Sequence, residues 1–199
     1  MLPDADLASV ATLAYTAAPT FRAGDVHALF TLAGGVRVLA VRGTTADPAD
    51  WLRDLSAMPV RDRDLGFCHQ GFLAGARGVL ALASGADLGG AILCGHSMGG
   101  AIAILLAGLL RARGIPLRAI VTFGAPRCGS WRLRRALRAL PLRLYRNGDD
   151  PVPDVPFLPG FYLHPRALIA IGEPALDPLA DHAIASYARA LAPRPEKTP

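Results

Sequence analysis

Lysine is almost absent from this chain. Lys197 is the only one among 199 residues, so the net charge of +5 rests on arginine. Cysteine is scarce too: Cys68, Cys94 and Cys128 lie far apart, without C-x-x-C spacing. That excludes a disulfide-framework scaffold and a thiolate zinc site, and it predicts buried, reduced thiols of the kind found in intracellular proteins. No apolar run reaches the roughly 18 residues that a membrane-spanning helix needs. The longest, 101–110, fits a core helix. The opening Met1-Leu2-Pro3-Asp4-Ala5-Asp6 has neither the basic start nor the apolar stretch of a secretory leader, which predicts a cytoplasmic location. Charged residues make up only 19% against 52% hydrophobic, which excludes a disordered chain and predicts elements buried on both sides.

Arginine clusters once, at Arg132, Arg134, Arg135 and Arg138. Trp131, Leu133, Leu137 and Leu140 alternate with these charges as on an amphipathic helix, so the pattern predicts a solvated face with snorkelling stems. No aromatic interleaving marks a nucleic-acid partner. His, Cys and acidic residues show no metal-ligand spacing.

Along the chain, residues 5–18 read as an opening helix. Val26–Leu32 and Val36–Val41 are β-like runs joined through Gly34-Gly35, an antiparallel hairpin. Alternation follows: helix 48–56, helix 72–84, strand 91–94, helix 99–113, strand 118–123, helix 130–140 and strand 142–145. A proline-rich loop from 151 to 159 precedes a last strand, 167–171, and a last helix, 181–191. Strands spaced by helices predict a mostly parallel sheet in one α/β domain over 1–192. Residues 193–199 read as a disordered tail.

The most informative segment is Gly95-His96-Ser97-Met98-Gly99, a G-x-S-x-G sequence between an apolar strand and an apolar helix. In that context the turn presents Ser97 as a nucleophile, and small neighbours tolerate its strained backbone. A serine nucleophile needs a base oriented by an acid, in the chain order Ser, Asp or Glu, His. Of five histidines only His164 and His182 follow Ser97. His182, at the start of the last helix, is the expected base. His96, adjacent in the turn, reads as packing or support. Asp149 and Asp150 follow the strand that ends near Tyr145, and spacing does not choose between them. Asp154, Asp177 and Asp181 are weaker candidates. Oxyanion donors are expected from Met98 N–H and from the loop Arg42-Gly43-Thr44-Thr45, chiefly Thr44.

These residues resemble the class 3 lipase family of α/β-hydrolases from about Leu39 to Tyr187. Val41-Arg42-Gly43-Thr44 with Asp50-Trp51-Leu52-Arg53-Asp54-Leu55, His69-Gln70-Gly71-Phe72, the Ser97 turn, Phe123-Gly124-Ala125-Pro126-Arg127, Asn147 to Pro153, and Asp181-His182 with Tyr187 match its blocks in order. The resemblance implies an α/β-hydrolase fold, places the acid on Asp150, and favours His182 over His164 and Thr44 as an oxyanion residue. It implies a carboxylic-ester hydrolase (lipase or esterase) that acts on lipid-like or short-chain esters without metal or cofactor. A small-molecule ester or lipid is then the partner, with transient contact at a lipid interface. It also places a lid between Thr44 and His69, shortened here to a reduced lid or a docked helix. A hydrolase-shaped binding module, or an acyltransferase or thioesterase, is the alternative.

Overall fold

The computed structural model describes residues 2–44 and 58–193. The expected helix over 48–56, most of the lid segment, and residues 194–199 of the expected tail lie outside the described residues.

The order of elements is α1 (Asp4–Leu13), β1 (Phe21–Ala23), β2 (Val26–Ala33), β3 (Val36–Val41), β4 (Pro59–Asp62), β5 (Gly66–His69), α2 (Gln70–Leu82), β6 (Ala91–His96), α3 (Met98–Ala112), β7 (Leu117–Phe123), α4 (Trp131–Leu137), β8 (Leu142–Asn147), β9 (Leu168–Ile171), α5 (Pro178–His182) and α6 (Ile184–Leu191). Seven strands form one sheet in the order β1-β2-β3-β6-β7-β8-β9. β1, β2 and β3 pair antiparallel, and every pairing from β3 to β9 is parallel. This is the α/β arrangement expected from the sequence, including the hairpin through Gly34-Gly35. β4 and β5 form a separate two-stranded hairpin over part of the stretch between Thr44 and His69.

The period-two alternation of strand side chains sorts the apolar residues onto two faces. Leu39, Val41, Leu93, Ile120, Leu142 and Leu144 meet α2, α3 and α4 in one core. Val38, Ala40, Ile92, Cys94, Ala119, Val121 and Phe123 face the other way, onto α1 and α6. Helix α3 is apolar almost all round and almost wholly buried, as expected of a helix walled in by the sheet and by α2 and α4. The arginine-rich helix α4 buries Leu133 and Leu137 and exposes Arg132, Arg134 and Arg135, with Arg138 exposed at its end. Asp4, in the first turn of α1 where the helix dipole favours a carboxylate, accepts from Arg143 Nε at 2.9 and 2.7 Å and fastens α1 to β8.

Several boundaries differ from the sequence reading, and three of them bear on the site. The opening helix stops at Leu13. The last helix is two, broken at Ala183, whose ψ of 132° is extended. β8 continues to Asn147, which brings the residues after it to the carboxyl edge of the sheet beside the Ser97 turn.

Candidate active site

β6 ends at His96 and α3 begins at Met98, so Ser97 alone makes the turn between them. It is the one described non-glycine residue with positive φ, at 55°. Such a conformation costs on the order of 1–3 kcal/mol and persists only where its surroundings fix it. They do so by close approach. A Cβ on Gly95 would lie 2.6 Å from the Gly99 carbonyl, and one on Gly99 would lie 2.1 Å from the Val41 oxygen. Ser97 N–H donates to Phe123 O at 2.9 Å, which ties the turn to the end of β7.

Ser97 Oγ lies 3.0 Å from His182 Nε2, and His182 Nδ1 lies 2.9 Å from Asp150 Oδ2. All three residues are buried. A carboxylate can only accept, so Nδ1 carries the ring hydrogen and Nε2 is left with a lone pair facing the serine hydroxyl. Two more donors hold Asp150. Val152 N–H reaches Oδ1 at 2.9 Å, and the Tyr187 hydroxyl donates to Oδ2. Burial first, then the adjacent Asp150 carboxylate, push the Tyr187 phenol far above its ordinary range, so it remains a donor.

Of the candidates that spacing left open, these contacts bring His182 and Asp150 to Ser97. Asp149 is exposed, with its backbone N–H donating to Asp181 Oδ2 at 3.0 Å, while Asp150 turns inward. His164 Nε2 donates to the Pro153 carbonyl at 2.7 Å, away from Ser97. Asp154 pairs with Arg127 and Arg146, and Asp177 caps α5. Asp181 is a buried clamp. Besides Asp149 N–H its Oδ2 accepts from Ala175 N–H at 3.0 Å, and its own carbonyl accepts from Asn147 Nδ2 at 3.1 Å. The residue before His182 is thereby fastened to the turn that carries Asp150. Sequence reasoning gave Asp181 and Tyr187 no such parts. The sequence reads Asp181 only as a weaker acid candidate, and both residues stand in the closing block of the family resemblance, which does not signal these contacts.

Thr44 follows the end of β3, whose Val41 pairs with Gly95. Its neighbour Gly43 lies so near the turn that a Cβ there would be 3.2 Å from Ser97 Cβ. Met98 opens the 15-residue helix α3 directly after Ser97. Of the two expected oxyanion residues, Met98 is the chain neighbour of Ser97, and Thr44 is the chain neighbour of Gly43, whose backbone approaches Ser97. Among the described residues no group of three His, Cys, Asp or Glu is arranged to hold a metal ion.

His96 has the role of support that its position suggested. Its Nε2 lies 2.6 Å from the His182 carbonyl and its Nδ1 2.7 Å from Tyr15 Oη. Burial, then the neighbouring His182, lower its pKa to about 3, against an opposing pull from the His182 carbonyl. An unfolded histidine protonates near 6.5. Below that pH the unfolded chain binds a proton that the native site refuses, so stability falls on acidification from about 6.5 towards 3, by up to ~1.4 kcal/mol per pH unit from this group. We expect NMR titration to show the His96 ring uncharged down to about pH 4. A ring titrating near 6.5 would contradict the assignment.

Comparison with known proteins follows the same lines. The lipase (class 3) family model matches residues 38–159. A secreted mono- and diacylglycerol lipase A of Penicillium cyclopium is 34% identical over 74 residues, which are 37% of this chain and 24% of that protein. A secreted mono- and diacylglycerol lipase 1 of Fusarium solani is 37% identical over 75 residues, 37% of this chain and 22% of that protein. Among solved structures, a mutant form of Penicillium cyclopium MDLA superposes with a TM-score of 0.60 at 22% identity, over 77% of this chain and 61% of that one. A nonglycosylated Yarrowia lipolytica LIP2 lipase gives 0.61 at 17% identity, over 84% and 77%. The structural likenesses establish a shared fold. The curated relatives, described as secreted, contradict the cytoplasmic location expected from the sequence. The thiol argument behind that expectation fails for a physical reason: Cys68, Cys94 and Cys128 are buried, and burial pushes Cys68 and Cys94 up to about 12, so their reduced state does not report the compartment.

Proposed function

Because this chain belongs to the class 3 lipase family, we propose that it is a serine carboxylic-ester hydrolase with Ser97 as nucleophile, His182 as base and Asp150 as the orienting acid. The observation that carries this reading is the buried line of hydrogen bonds from Ser97 Oγ through the imidazole to Asp150. Ser97 Oγ attacks the ester carbonyl carbon while His182 Nε2 takes the hydroxyl proton. Asp150 holds the tautomer that makes this possible and stabilises the imidazolium that forms. Collapse of the tetrahedral intermediate expels the alcohol, which leaves with the proton from Nε2. Water, deprotonated by the same nitrogen, then releases the acid and restores the serine.

Thr44 and Met98 are the oxyanion donors in this scheme. Support comes from the backbone approach of Gly43 to Ser97 and from the position of Met98 at the start of a long helix, where unpaired N–H groups favour negative charge. Loss of one such donor costs about 10²–10³ in kcat. The substrate class in this reading is a lipid-like or short-chain ester, met with transient contact at a lipid interface; the names of the secreted mono- and diacylglycerol lipases support the lipid-like end of that range.

The test is a panel of p-nitrophenyl esters with short, medium and long acyl chains, with and without micelles, run beside a fluorophosphonate probe. Turnover that the probe abolishes by labelling Ser97 is the expected result. No turnover on any ester, with no label on Ser97 in folded protein, would overturn the proposal.

A further inference from the structure

One set of polar contacts at the site belongs neither to the Ser97–His182–Asp150 line nor to the clamp around Asp181. Tyr15 lies just beyond the end of α1, outside the stretch that the family model matches. Its hydroxyl is 2.7 Å from His96 Nδ1, and His96 Nε2 is 2.6 Å from the carbonyl oxygen of His182. On the other side the Tyr15 oxygen meets Gly43: the Gly43 backbone N–H bonds to it, and a Cβ at residue 43 would be 2.4 Å away.

The direction of each bond is fixed by chemistry. A carbonyl oxygen only accepts, so His96 Nε2 carries the ring hydrogen. The ring is neutral, so Nδ1 has a lone pair and must accept from the Tyr15 hydroxyl. The phenol oxygen in turn accepts from Gly43 N–H. Gly43 N–H to Tyr15 O–H to His96 Nε2–H to His182 C=O is therefore one relay in which every donor points the same way, the arrangement in which hydrogen bonds polarise and strengthen one another. Burial keeps the phenol protonated, with its pKa raised to about 12, so the relay does not reverse in the ordinary pH range. The edge of the Tyr187 ring, 6.0 Å away between centroids, packs against His96.

The two ends of this relay are informative. Gly43 immediately precedes Thr44, and His182 is the base. The middle member, His96, immediately precedes Ser97. We propose that Tyr15 is a positioning residue for ester hydrolysis, a role that rests on the hydrolase reading above: through His96 it holds the loop after β3, the Ser97 turn and the backbone of His182 in one register. No bond of the proton-transfer line passes through Tyr15, so its effect is on geometry at the reacting carbon.

Tyr15→Phe keeps the ring and removes the hydroxyl, leaving Gly43 N–H and His96 Nδ1 without that partner. We expect kcat to fall about tenfold or more, with KM within about twofold of wild type, because the misplaced groups act on the oxyanion and the base and not on ground-state binding. Two measurements separate this from general loosening. Assays are run well below the melting temperature of each protein. Nitrogen NMR of the ring then reads His96 directly: in the wild type Nε2 is protonated and Nδ1 resonates as a hydrogen-bonded acceptor, and in Tyr15→Phe the Nδ1 signal moves towards that of a free imine nitrogen. Unchanged kcat in folded Tyr15→Phe would overturn the proposal. So would a wild-type His96 with its hydrogen on Nδ1, a measurement that stands even where the variant fails to fold. Failure of the hydrolase reading looks different: wild-type protein then neither hydrolyses esters nor takes the fluorophosphonate label, whatever the His96 resonances show.

Discussion

Ser97→Ala is expected to lower kcat for p-nitrophenyl ester hydrolysis by about 10⁶-fold, the scale of loss when a serine nucleophile is removed from an intact triad. Among the described residues no second hydroxyl is seen in its place. Only the Ser97 Oγ stands 3.0 Å from His182 Nε2 among the described hydrogen bonds. The fold should survive. Alanine keeps the Cβ that already sits in the turn, and the positive φ of 55° strains it as it strains serine. The Ser97 N–H bond to Phe123 O belongs to the backbone and remains. What the variant loses is one hydrogen bond of a buried imidazole, a cost of about 1–3 kcal/mol at most. Melting temperature, ester turnover and intact mass after fluorophosphonate treatment together check this. A folded variant with wild-type turnover would remove Ser97 from the mechanism.

Much of this arrangement is legible before any coordinates. β3, β6, β7 and α3 are read correctly because each is strongly apolar and bounded by turn residues, and their order requires parallel pairing. The Ser97 turn is equally plain, since its glycines are dictated by backbone approach. Three of the short strands are not legible. β1 has three residues, Phe21–Ala23, and β4 and β5 have four each, too few for alternation to show. The break at Ala183 is hidden because alanine is a good helix former. It arises where the chain must bring His182 to the sheet edge. Asp149 and Asp150 are chemically identical in sequence. Spacing does not separate them; the resemblance points to Asp150, and in the fold Asp149 N–H bonds to Asp181 while the Asp150 carboxylate faces His182, Tyr187 and Val152. Tyr15 carries no sequence signal: it stands 81 residues before its partner His96 and belongs to no motif.

Asp150→Asn should be the second most damaging change, lowering kcat by about 10⁴-fold. The reason lies in how fully the carboxylate is used. Oδ2 accepts from both His182 Nδ1–H and the Tyr187 hydroxyl, and Oδ1 accepts from Val152 N–H. All three partners are donors as they stand, whereas an amide offers one acceptor oxygen and one donor NH₂. With NH₂ facing the imidazole, Nδ1 must become the acceptor and the hydrogen moves to Nε2, where it blocks removal of the serine proton. With NH₂ facing Val152, two donors confront each other in a site that is closed to solvent. Either way a buried donor or the productive tautomer is lost, although size and shape are conserved. Tyr187→Phe, which removes one of the two donors on Oδ2 and leaves the tautomer intact, should cost far less. A further measurement tests the unity of the line. If Asp150 acts only through His182 on Ser97, then Ser97→Ala combined with Asp150→Asn should be no slower than Ser97→Ala alone. Additive losses in that double variant, or an Asp150→Asn enzyme within tenfold of wild type, would show that the carboxylate does not orient the base.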